Sequence, residues 1–130
     1  MNEKAILTLE QAKIEAKPYA GHKEKLLSLI DEGARKSEQC YEFLLAPWES
    51  LQIFFRLLRA QLAGKFSASA EATLAIVAAV LYFVSPFDLI PDSVPVLGLI
   101  DDAYVIACVA KANLTLISSF RNWETSVRGT

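Results

Sequence analysis

"ATLAIVAAVLYFV", residues 72–84, is the stretch that decides how this chain can fold. It reads as a helix over about 70–84 with no polar face beyond Thr73. A helix that is apolar all round belongs either at the centre of a protein core or inside a bilayer. The apolar run over 72–87, softened only by Thr73, Ser85 and Pro86, would extend roughly 24 Å at 1.5 Å per residue. A hydrocarbon core asks for about 30 Å and about 20 residues. The stretch therefore specifies a short, partly inserted hairpin or a helical bundle with one central helix.

C-terminal to it comes "SPFDLIPDSVPVLGLIDD", residues 85–102, which reads first as a built connector. Ser85, Pro86 and Asp88 suit the N-cap, first and third positions of a short helix. Pro91, lacking an N–H, stops that helix. Asp92 before Ser93-Val94-Pro95 suits an Asx-turn, and Gly98 supplies a positive-φ residue that ends the irregular piece. Asp101 and Asp102 then stand as N-cap and first-turn acid of a last helix over about 101–123. Tyr82, Ser85, Pro86, Pro91, Pro95 and Gly98 are the structural residues of the motif.

Two other readings attach to the same acids. Asp88, Asp92, Asp101 and Asp102 have no Lys or Arg in their segment, and hard cations such as Ca²⁺ or Mg²⁺ prefer carboxylate oxygens, so the four are candidate metal ligands. Their spacing is neither an EF-hand loop nor a DDxxD motif, because Val105 and Ile106 stand where a third acid would fall. The connector also displays Phe87, Leu89, Ile90, Val94 and Leu97 beside the acids, as a recognition loop would.

The small residues Ala68, Ala72, Ala75 and Ala79 share one helical face, and Ala103, Ala107 and Ala110 share another. Small faces let helices approach closely. The two helices are therefore expected to pair as an antiparallel hairpin.

Upstream, Thr8-Leu9-Glu10-Gln11 has capping-box form, with Pro18 and Gly21 closing the helix that it opens. A second helix over about 22–45 carries the stripe Leu26, Ile30, Ala34, Tyr41 and Leu44. A third over about 47–62 carries Leu51, Phe54, Phe55, Leu58 and Leu62, with Pro47 at its first turn and Gly64 capping its end. Ser67 and Ser69 are candidate N-caps for the apolar helix. The fold class is all-α: a compact bundle of about five helices, with an apolar hairpin joined by a Pro/Gly/Asp-rich connector. It forms a single domain over 1–130, amphipathic over 1–69 and hairpin-forming over 70–130.

Charge narrows the function. The net charge of −2, with acids and bases interleaved in the first half, gives no basic stripe for nucleic acid. Trp48 and Trp123 at helix ends read as packing anchors or interfacial aromatics. Cys40 and Cys108, far apart and without CxxC spacing, read as buried reduced thiols. The only histidine, His22, opens a helix with no nucleophile elbow near it, so no catalytic residue is assigned. Across residues 66–110 there is no Lys or Arg, whereas Arg56, Arg59 and Lys65 precede that window and Lys111, Arg121 and Arg128 follow it. By the positive-inside rule this suits a hairpin with both termini cytoplasmic. Lys111 and Asn113 in the return helix argue for a cytoplasmic bundle instead. The N-terminus shows no cleaved targeting segment.

Tyr82, Pro86, "DLIPD" over 88–92, Pro95, Gly98 and the pair Asp101-Asp102 resemble the signature of the YkvA-like family, a bacterial domain of unknown function. The resemblance covers about residues 72–108. Phe87 and Ser93 depart from its usual Ile and aromatic residue. The resemblance implies membrane association and no known activity. The resulting expectation is a non-catalytic, membrane-associated helical module, binding an unknown protein partner or itself. The alternative is a soluble bundle whose connector binds a divalent cation.

Overall fold

The computed structural model describes residues 3–84 and 95–128. Among them are seven helices and no strand: α1 (Glu3–Ala20), α2 (Lys23–Gln39), α3 (Tyr41–Leu44), α4 (Ala46–Leu62), α5 (Ala70–Val84), α6 (Pro95–Ala112) and α7 (Leu114–Arg128).

The apolar stretch forms α5, and local chemistry sets its start. Ser69 Oγ accepts the Ala72 N–H at 3.1 Å, satisfying one of the orphan donors of the first turn. Gln61 fixes the loop before it, donating to Thr73 Oγ1 at 2.9 Å and accepting the Ala68 N–H at 3.0 Å. The preceding helix, α4, ends in a Schellman motif. Gly64 at φ 74 donates to Gln61 O, and the Lys65 N–H reaches Ala60 O at 2.9 Å. Both caps stand where the sequence puts them.

Ile76, Val77, Ala78, Ala79, Val80 and Phe83 are fully buried, and Leu81 and Tyr82 nearly so. Protein supplies the surroundings: α1, α2, α4 and α6 all pack on α5. The bundle with one central helix is thus the architecture adopted. The sequence pairs α5 with the return helix through facing alanines. The structure keeps an α5–α6 contact but gives the most extensive one to α1. The described buried positions of α1, Ala12 and Ala16, are one turn apart and both small, which permits close approach. On α6, Ala107 is exposed and belongs to no such seam.

On α2 the buried residues are Leu26, Leu29, Ile30, Gly33 and Ser37. Gly33 sits where α2, α4 and α5 meet: a Cβ there would lie 2.8 Å from Phe55 Cε1 and 3.4 Å from Val80 Cγ1. Ser37, fully buried, is satisfied throughout. Its hydroxyl donates to Ala34 O and accepts from Gln52 Nε2, and its carbonyl accepts from Trp48 Nε1 at 3.0 Å. Trp48 is therefore a packing anchor between α2 and α4, with Tyr41 edge-on at 4.9 Å.

Four boundaries differ from the sequence reading. First, α1 begins at Glu3, so Thr8 lies inside it and its capping box is not used; Pro18 sits in the last turn, where one missing N–H costs a single bond. Second, the helix expected over 22–45 breaks at Cys40, and Leu45 turns the chain with φ 55, a strained value for a β-carbon residue, before α4. Third, α6 begins at Pro95, six residues before Asp101, because Pro is well suited to a first helical turn. Gly98 therefore continues a helix, and Asp101 and Asp102 are interior residues of α6 rather than its caps. Fourth, the last helix bends by 80° at Asn113, giving α6 and α7. These breaks turn the expected five helices into seven.

Candidate functional site

Asp102 is where the acids of the motif enter the described structure most clearly. It is 8% exposed, and a carboxylate that deep needs compensation. The sequence offers no cation within its own segment. Lys36, on the last turn of α2, is half-buried and donates to Phe83 O at the end of α5. Its ammonium also lies over the Phe83 ring at 4.8 Å from the centroid. A lysine at a helix C-terminus satisfies an orphan carbonyl and opposes the negative end of the dipole.

Cys40, one turn beyond Lys36, is buried. Burial pushes its thiol pKa upward, Lys36 pulls it down, and Asp102 pushes it up again. Cys40 is thus within electrostatic reach of both groups. A raised thiol pKa makes a weaker nucleophile and metal ligand than a thiol beside an unopposed cation. Cys108 is half-buried and also free, as the cysteine spacing leads one to expect.

The other residues singled out in the sequence are placed as follows. Tyr82 is buried near the end of α5, Pro95 opens α6, and Gly98 and Asp101 lie on the backbone of α6. Asp88, Asp92, Ser85, Pro86 and Pro91 lie outside the described residues, as do the recognition-loop residues Phe87, Leu89, Ile90 and Val94. Among the described residues no group of three or more His, Cys, Asp or Glu stands close enough together to hold a metal. His22 caps α2, its Nδ1 accepting the Lys25 N–H at 3.1 Å.

Lys36 is the residue that sequence reasoning missed, and a signal for it existed. Leu29, Gly33, Lys36 and Cys40 fall at i, i+4, i+7 and i+11, which puts a lysine on the buried face of an amphipathic helix. Lys36→Met keeps the stem and removes the charge. We expect it to lower stability by about 1–3 kcal/mol, the range for losing a hydrogen bond to a charged group in a partly buried place. Urea denaturation checks this. Lys36→Arg should recover only part of the loss: a guanidinium can stack on Phe83, but its bulkier fork does not fit the ammonium's place on Phe83 O.

Among the described residues no single helix is long and apolar enough to cross a membrane, although the bent pair Asp102–Ala112 and Leu114–Val127 passes that test together. No solved structure matches the chain significantly. A family model described as "Protein of unknown function (DUF1232)" matches residues 72–108, which hold nearly all of α5 and α6 as far as Cys108. The "Uncharacterized membrane protein YkvA" of Bacillus subtilis (strain 168) is 36% identical over 77 residues, covering 58% of this chain and 73% of that protein. With a third of the residues identical over most of that relative, the chain belongs to the YkvA-like family, whose function is unknown.

Proposed function

We propose that the chain is a non-catalytic helical module that associates with membranes as a folded bundle, with its cationic flanks toward the cytoplasmic surface. The observation that carries this reading is the 66–110 window, which holds α5 and most of α6 and contains no Lys or Arg. Cations cluster immediately on both sides of that window, as the positive-inside rule requires. The membrane designation of the Bacillus subtilis relative supports the same reading. The non-catalytic half is supported by the use of the available chemistry: His22 serves as a helix cap and Cys40 is a buried core residue.

In this reading α5 keeps its protein surroundings. At 15 residues it spans about 22 Å, short of the roughly 30 Å of a hydrocarbon core. Lipid contact then falls to the surface of the bundle. Fractionation of expressing cells tests the association: the protein should sediment with membranes through a high-salt wash and leave them in detergent. Recovery as a monodisperse species in the soluble fraction would overturn the proposal.

A further inference from the structure

The last helix docks on the bundle through an aromatic cluster and an ion pair. α7 leans on α6. Beyond that, Phe120 and Trp123 pack on Phe66 of the α4–α5 loop, with ring centroids 5.1 and 5.6 Å apart. Arg56 of α4 holds Glu124 with two bonds, Nε to Oε2 at 2.8 Å and Nη2 to Oε1 at 3.1 Å. The Glu124 side chain is 16% exposed and that of Arg56 42%, so this is a latch at the edge of the core rather than a solvated surface pair.

The bend that lets α7 reach these partners is made at Asn113. Sharp bends ordinarily need Pro, Gly or an inserted group. Residues 103–128 contain neither Pro nor Gly, and no positive φ occurs there among the described residues. Asn113 is the inserted group: its Nδ2 donates to Val109 O, the carbonyl that its own N–H would take in a continuous helix, while that N–H goes to Ala110 O and its carbonyl accepts from the Ile117 N–H. The 80° elbow is therefore local, and the Phe66 contacts and the Arg56 pair hold α7 against the bundle beyond it. Docked, α7 buries Phe120 and Ile117, so opening it gives up those contacts.

Released, α7 would be an amphipathic helix with Leu116, Ile117, Phe120 and Trp123 on one side, where Glu124 is the one acid, and Arg121, Asn122 and Thr125 on the other. Such a helix, with Trp at one end of its apolar face, suits the plane of a membrane interface. Leu114, beside the elbow, is already 60% exposed. We propose that α7 is a releasable strap, and that the apolar side it docks on the bundle is the surface that enters a lipid interface when the Arg56–Glu124 latch opens. This rests on the membrane reading above.

The latch gives a clean test with the full chain and phosphatidylcholine vesicles. Arg56→Gln and Glu124→Gln break the same pair but change net charge in opposite directions. Both should raise the fraction that floats with vesicles, by about two- to five-fold, the factor that one ion pair of this exposure can shift. Both should keep a single cooperative melt, which shows that α1–α6 remain folded. If wild type floats and neither variant floats better, or if the two variants move in opposite directions, the strap is overturned while membrane association stands. If no protein floats at all, both fall. If the variants dimerise without floating, the released face serves a second copy and the lipid proposal is overturned.

Discussion

Phe83→Ala is expected to remove about 3–5 kcal/mol of folding stability, the range for deleting a fully buried aromatic ring from a core. Phe83 is fully buried on the central helix, and its ring and carbonyl both serve Lys36. The alanine therefore leaves a cavity and also removes the apolar surface over which an ammonium is held. Domains of this size are stable by about 5–15 kcal/mol, so the loss takes about a fifth or more of the total. Val84, the next residue and only half-buried, should lose about 1 kcal/mol on the same change, because less of its surface is removed from water. Urea denaturation of the two variants side by side reads the difference. A loss at Phe83 no larger than at Val84 would mean that this end of α5 is not enclosed.

The second large effect is expected at Gly33. Leucine there should cost about 3 kcal/mol, at the upper end of ordinary overpacking, because its Cβ alone would stand 2.8 Å from a ring that is itself 1% exposed. Alanine is a gentler probe. It gains about 1 kcal/mol of helix propensity and loses more than that in moving Phe55 and Val80, so a net cost near 1 kcal/mol is expected. The clash is specific, which makes it testable by a cycle. In the double variant Gly33→Leu with Phe55→Ala, the new side chain enters the space that the ring vacates. Its stability should exceed the sum of the single effects by about 1–3 kcal/mol, as for residues in direct contact. Strict additivity would place the two residues apart.

What the sequence made legible was local chemistry. The Schellman glycine at 64, the Ser69 cap and the bounds of α5 depend on a few adjacent residues, and all three stand where they are read. The all-helical class followed from periodicity in the same way. The errors lie where distant contacts decide. Pro95 starts α6, and the acids at 101–102, read as caps, fall inside the helix because nothing in "PVLG" forbids it. The bend rests on one residue, Asn113, whose side chain takes the Val109 carbonyl in a stretch that otherwise reads as one helix. Lys36 was hidden because its tether to Phe83 spans 47 positions. The preference of α5 for α1 over α6 was equally hidden, because an alanine face does not name its partner. Asp88 and Asp92, the other half of the candidate metal site, lie outside the described residues.

The account joins two statements that usually exclude each other: the most apolar helix is enclosed by protein, and the module works at a membrane. A lipid-soluble photoreactive probe, activated in membranes that hold the wild-type protein and followed by peptide mapping, separates them directly. Label is expected on the surface of the bundle, concentrated in α7, with residues 76–83 of α5 protected. Strong labelling across 76–83 would put α5 against lipid and contradict the account.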